Sequence, residues 1–151
     1  MMHDLASVLQ RVQALETSGR RKEGKVRVGS KGGLVFVAPS RIATGAGVSG
    51  WKRASAARHV RGSARAVLLN VSLRTGLGPG APFTLFDIEA KVSANGSVRK
   101  LLQIGTSVDQ SMTVQALCAL SPSKGFEFRV TSTGAPPGSY DLTVVAYWAD
   151  A

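Results

Sequence analysis

Apolar and polar residues alternate through most of the second half of the chain. Val67, Leu69, Val71 and Leu73 form one such row, and Phe86, Ile88, Ala90 and Val92 a second. Met112, Val114, Ala116, Cys118 and Leu120 form a third, and Leu142, Val144, Ala146 and Trp148 a fourth. Residues 98–104 and 126–130 carry shorter runs of the same kind. Successive side chains of a strand point to opposite faces, so a period of two marks strands with one face buried. Turn residues separate the rows at 76–82, at Asn95-Gly96, where a tight hairpin turn is expected, and at 134–138. With short apolar runs at 26–28 and 34–37 the count is about eight strands. Short strands spaced this closely, without intervening helices, predict a mainly β chain folded as an antiparallel β-sandwich or jelly-roll-like domain. In the last strand the even-numbered face is predicted to be buried, Trp148 included.

The first half reads differently. Leu5, Val8, Val12 and Leu15 follow a helical spacing of three, four and three, with Asp4 placed to cap the start and Gly19 the end. About three turns of helix are marginal alone in water. This seam reads either as an amphipathic helix lying on its own domain or as a short bundle joining copies of the chain, and on the second reading a trimer is the predicted state. From residue 17 to 65 the composition turns to glycine, serine, alanine and basic residues, interrupted by 34–37 and Trp51. The predicted division is an N-terminal helix and basic glycine-rich arm over 1–64, with one or two short strands in it, and a β-sandwich domain over 65–151.

The chain has 151 residues and a formal net charge of +10. Residues 1–75 hold 14 Lys and Arg against 3 acids, whereas residues 76–151 hold 5 against 6. So uneven a distribution predicts an acidic partner for the first half. The expected docking residues are Arg20, Arg21, Lys22, Lys25, Arg27, Lys31, Lys52 and Arg53, continued by Arg58, Arg61 and Arg65. The partner could be nucleic acid, with Trp51 or Phe36 stacking on a base, a membrane surface or an acidic protein face, and the alternative is a charge run that is simply a solvated face. The single cysteine, Cys118, cannot form an internal disulfide and is expected to be a buried, inert thiol. The start of the chain lacks a secretory pattern and no run suits a membrane-spanning helix, which predicts synthesis in the cytoplasm of the producing cell and no membrane partner.

Chemistry finds little to use. Gly45, Gly47 and Gly50 spell the dinucleotide-binding G-x-G-x-x-G, but Pro39 separates them from the preceding strand pattern and no βαβ unit follows, so a turn is expected. The two histidines, His3 and His59, lie far apart and neither has the company a general base needs. With one cysteine they do not make a zinc set. Asp87 and Glu89 share a strand face and are expected to be solvated. Asn70-Val71-Ser72 and Asn95-Gly96-Ser97 read as a strand and a turn rather than glycosylation sites. No catalytic, cofactor or metal residues are assigned, and the chain is not expected to be an enzyme.

The wording Ala66-Val67-Leu68-Leu69-Asn70-Val71, then Phe83-Thr84-Leu85-Phe86, and finally 140–148, which closes on Tyr147 and Trp148, resembles the small β-sandwich modules of bacteriophage virion proteins. A short heptad helix before a β domain is similar to trimeric head-fibre, tail-fibre and capsid-decoration proteins. The resemblance covers about residues 65–148. It implies a structural protein of a phage or virus particle, located in the virion, that oligomerises and docks on a major capsid or tail protein through its basic half. Two other readings stand beside it: a nucleic-acid-binding coat or packaging protein, and a receptor- or glycan-binding fibre tip with ligand loops at 76–82 and 135–138.

Overall fold

The computed structural model describes residues 33–150, which form eight strands. They are β1 (Gly33–Gly45), β2 (Ser49–Ser55), β3 (Ala64–Arg74), β4 (Thr84–Lys91), β5 (Arg99–Thr106), β6 (Ser111–Ala119), β7 (Gly125–Ser132) and β8 (Ser139–Ala149). Every pairing is antiparallel, and the pairs nest: β4 with β5, β3 with β6, β2 with β7 and β1 with β8. Two further pairings, β3 with β8 and β4 with β7, join this ribbon into two four-stranded sheets. Their orders are β1-β8-β3-β6 and β2-β7-β4-β5. The mainly β, two-sheet architecture read from the alternation is thus present. The seam Leu5, Val8, Val12 and Leu15, the strand expected at 26–28 and the arm residues Arg20, Arg21, Lys22, Lys25, Arg27 and Lys31 lie outside the described residues.

The core fills the space between the sheets. Val67, Leu69, Val71 and Leu73 of β3 and Tyr140, Leu142 and Val144 of β8 meet Phe86 and Ile88 of β4 and Phe126, Phe128 and Val130 of β7. Most of these are wholly shielded from water, and each fully buried side chain of this size is worth roughly 1.5–3 kcal/mol. Phe128 meets Tyr140 edge-on, with ring centroids 6.0 Å apart. Cys118 is buried in this core, as its row predicted, and burial pushes its thiol up to about 12.

The structure moves the boundary of the sandwich. Residues 33–64 were expected in the arm, yet β1 and β2 supply one strand to each sheet, and Leu34, Ala54, Ala56 and Ala64 are buried. The alternation marks a short strand at 34–37 and leaves the rest of β1 and β2 in the arm for a physical reason. The register of β1 on β8 shifts between Phe36 and Ser40 and again between Arg41 and Ala43, and that of β2 on β7 shifts between Ser49 and Lys52. A bulge inserts an unpaired residue and reverses the faces, which erases a period of two.

The same device corrects the last strand. On β3, Leu68 faces Ala146 but Leu69 faces Val144, so β8 carries one extra residue there. Before the bulge Tyr140, Leu142 and Val144 point inward; after it Tyr147 and Ala149 do, and Trp148 turns outward with 38 % exposure. Outward-facing Leu34, Leu68 and Ala146 make a second, small core on the far side of the first sheet, with Leu117 and Val145 packed on it. Gly45, Gly47 and Gly50 prove to be the end of β1, its turn and the start of β2, and the N–H of Gly47 donates to Pro137 O at 3.0 Å. Asp87 and Glu89, expected to be solvated, are half-buried on the outer face of the second sheet. Lys100 Nζ lies 3.3 Å from Asp87 Oδ1, and Arg129 Nε lies 2.8 Å from Glu89 Oε1.

Candidate polyanion interface

The register brings the chemistry of the molecule to one end. Gly33 and Ala64 both pair with Ala149, Ser55 pairs with Gly125, Ala66 with Ala119, and Lys91 with Glu127. The end where β1 begins is therefore also closed by the β2–β3, β4–β5 and β6–β7 loops. On it or beside it lie Lys52 and Arg53 near the end of β2, Arg58 and Arg61 in the β2–β3 loop, and Arg65 at the start of β3. Lys91 at the end of β4, Arg99 and Lys100 at the start of β5, and Lys124 in the β6–β7 loop complete the set. Acids nearby are Glu127 and Asp150, together with Asp87, 3.3 Å from Lys100, and Glu89, opposite Lys100 in the β4–β5 register. At the opposite end the loops 46–48, 75–83, 107–110 and 133–138 hold one charged residue, Asp109.

The backbone of the basic end is tightly knit, so its cations are presented rather than loose. The N–H of His59 donates to Ala56 O at 2.8 Å and that of Ala64 to Arg61 O at 3.0 Å, closing two turns that leave Arg58 and Arg61 exposed. The N–H of Ala56 donates to Lys124 O at 2.8 Å and that of Asp150 to Ser63 O at 3.2 Å, which ties the loop to its neighbours. Lys124 adopts a left-handed backbone, φ 65°, rare for a residue with a side chain. Its ammonium donates to Ala64 O at 2.9 Å, while Arg53 Nη2 donates to Ser123 Oγ at 2.6 Å. Beside Lys124 a shallow depression of about 460 Å³ is lined by Ala64, Arg65, Leu120, Ser121, Pro122 and Lys124.

These charges differ in how far they are already spent. Arg65 Nε reaches Asp150 Oδ2 at 2.9 Å, an exposed pair of small worth. Lys52, Arg58 and Arg61 have no ion-pair partner among the described residues. Trp51, a candidate for stacking on a base, is already engaged: Lys91 Nζ lies 4.2 Å and the Arg129 guanidinium 4.6 Å from its ring centre. Phe36, the other candidate, keeps 44 % exposure on the outer face of the first sheet.

Of the docking residues expected from sequence, Lys52 and Arg53 fall within the described part. The fold brings them to the same end as Arg58, Arg61 and Arg65. Lys91, Arg99, Lys100 and Lys124 were missed, because they sit in the half of the chain whose charges nearly cancel. Their signal was positional: the first three flank the Asn95-Gly96 turn and the fourth precedes Gly125 at another. Among the described residues no group of three His, Cys, Asp or Glu is placed to hold a metal ion, and no helix is long and apolar enough to cross a membrane. No protein-family model matches the chain, and no curated protein does.

Proposed function

We propose that this chain is a structural protein of a virus or phage particle, specifically a coat subunit whose basic end and N-terminal segment hold packaged nucleic acid. The observation that carries the reading is a coincidence of topology and charge. The nested pairing of eight strands into orders β1-β8-β3-β6 and β2-β7-β4-β5 is the wiring of a jelly roll, an architecture shared by viral capsid domains and lectins. The cations gather at the end of that jelly roll where residues 1–32, themselves rich in Lys and Arg, join β1. A fold alone does not select a function. A basic end continued by a basic segment does narrow the choice, because dense phosphate is the partner such a surface attracts most strongly. The resemblance of residues 65–148 to virion modules points the same way.

The test is to free the full chain of nucleic acid in high salt and return it to about 0.15 M salt, near physiological ionic strength, with single-stranded RNA, duplex DNA or polyglutamate. Co-sedimentation with either nucleic acid into closed particles visible by electron microscopy is the expected result. Assembly equally well without any polymer, and no retention of nucleic acid, would overturn the packaging role. Retention of an intact parent particle's protein shell in place of nucleic acid would favour a decoration protein instead.

A further inference from the structure

A sheet edge offers unpaired N–H and C=O groups to any strand that approaches, and folded proteins guard such edges with charges, proline or bulges. Four described strands are edges: β1 and β6 of the first sheet, β2 and β5 of the second. Three are guarded. β1 carries two register shifts, Pro39 and Arg41. β2 carries a register shift with Lys52 and Arg53, and β5 carries Arg99 and Lys100 opposite a shift between Ile88 and Glu89 of β4.

β6 has none of these devices. Its sequence, Ser-Met-Thr-Val-Gln-Ala-Leu-Cys-Ala, contains no charged residue, proline or glycine. All nine residues pair with β3 in one unbroken register from Ala119 opposite Ala66 to Ser111 opposite Arg74. The strand is straight and uncharged in a chain of net charge +10, and among the described residues nothing pairs with its outer edge.

We propose that the free edge of β6 pairs with β6 of a second copy, antiparallel about a two-fold axis at Gln115, to make one continuous eight-stranded sheet. The occupant follows from the row itself. In that register Gln115 faces Gln115 of the other copy; its Nε2 already donates one N–H to Asn70 Oδ1 at 3.1 Å, and the second N–H and the carbonyl oxygen remain to complement the other copy's amide. Thr113 faces Leu117 and Val114 faces Ala116, with no like charges opposed, and such cross-strand neighbours are the unit of sheet stability. Symmetric self-complementary contacts are the commonest way identical chains join. Charge selects the antiparallel sense. It points the two basic ends away from each other, whereas a parallel pairing would set them side by side. The flanking cations of β3 are already paired, Arg74 with Asp109 and Arg65 with Asp150, each at 2.9 Å.

This contact does not depend on the nucleic-acid reading and is tested without nucleic acid. The full chain, stripped in high salt, is expected to sediment as a dimer or a multiple of one. Gln115→Cys should form a covalent dimer under mild oxidation, because self-opposed Cβ atoms lie about 4.5–5.5 Å apart. Thr113→Cys, opposite Leu117, should not, and the wild type controls for Cys118. Gln115→Lys, which opposes two ammonium groups at the axis, should weaken dimerisation at least about tenfold, equivalent to 1.4 kcal/mol, with the β circular dichroism intact. A monomer whose Gln115→Cys form stays uncrosslinked would overturn the proposal. So would crosslinking through Thr113→Cys, undiminished association of Gln115→Lys, or a monomer whose β6 edge amides are protected from exchange by residues 24–30 of the same chain.

Discussion

At both ends of the sandwich backbone bonds tie the loops together, but at the neutral end they enclose one charged residue, Asp109, whereas at the basic end they leave several charges standing outside. Gly76, φ 66°, lies so near Gly138 that a Cβ on it would fall 3.0 Å from Gly138 Cα. A Cβ on Gly45 would fall 2.5 Å from the hydroxyl of buried Tyr140. Thr75 is fully buried there: its hydroxyl accepts from the N–H of Gln110 at 3.0 Å and donates to Val108 O at 3.3 Å. Asp109 accepts from Gly76 N–H and Arg74 Nη2, both at 2.9 Å. The basic end has a tight approach of its own, with a Cβ on Gly125 2.9 Å from Ala54 O, but Arg58 and Arg61 stand exposed on its loop. Loops spend residues either on their own structure or on a surface for something else, and here the two uses fall at opposite ends.

Substitutions should therefore separate stability from binding. The largest loss of stability is expected from Gly76→Val, which forces a β-branched side chain into a left-handed backbone and against Gly138. The cost should be about 2–4 kcal/mol in urea denaturation, with nucleic-acid retention by the folded fraction unchanged. Thr75→Val keeps the shape but removes the hydroxyl that Gln110 N–H uses, for about 1–2 kcal/mol.

Asp109→Asn should show a smaller effect, present near neutral pH and fading in acid. Hydrogen bonds from Arg74 and Gly76 N–H hold the Asp109 carboxyl below the usual carboxylate range. A carboxyl that binds its proton less readily folded than unfolded stabilises the fold fully above the ordinary carboxylate pKa. That stabilisation fades as pH falls through the ordinary value and then the lowered one. The Asn form should lack this part of the acid dependence in a series of melting curves against pH. Smallest of all should be the change for the joint replacement Arg58→Glu and Arg61→Glu, within about 0.5 kcal/mol of the parent, as for exposed positions generally. If that pair proved as costly as Gly76→Val, the contrast between the ends would be lost.

What the sequence made legible was whatever kept its period. β3, β4, β6 and the first part of β8 have unbroken alternation, and their cores were readable residue by residue, Cys118 included. β1 and β2 were not, because three register shifts scramble which side chains point inward. Trp148 was misread for the same reason, one bulge upstream. The candidate interface was half legible. Charge counted along the chain found Lys52, Arg53 and their neighbours, but Lys91, Arg99, Lys100 and Lys124 join them only through strand pairing, which no one-dimensional count contains.

The central claim is that the basic end meets phosphate, and salt tests it most directly. Each phosphate contact made by a cation releases condensed counterions, so log K falls against log salt with a slope of about 0.7 per contact on single strands. The full chain should show a steep slope on single-stranded RNA, and replacing Arg58 and Arg61 together by alanine should make it shallower by up to about 1.4 without altering the melting temperature. A slope left unchanged by that double replacement, or an affinity indifferent to salt, would contradict the account.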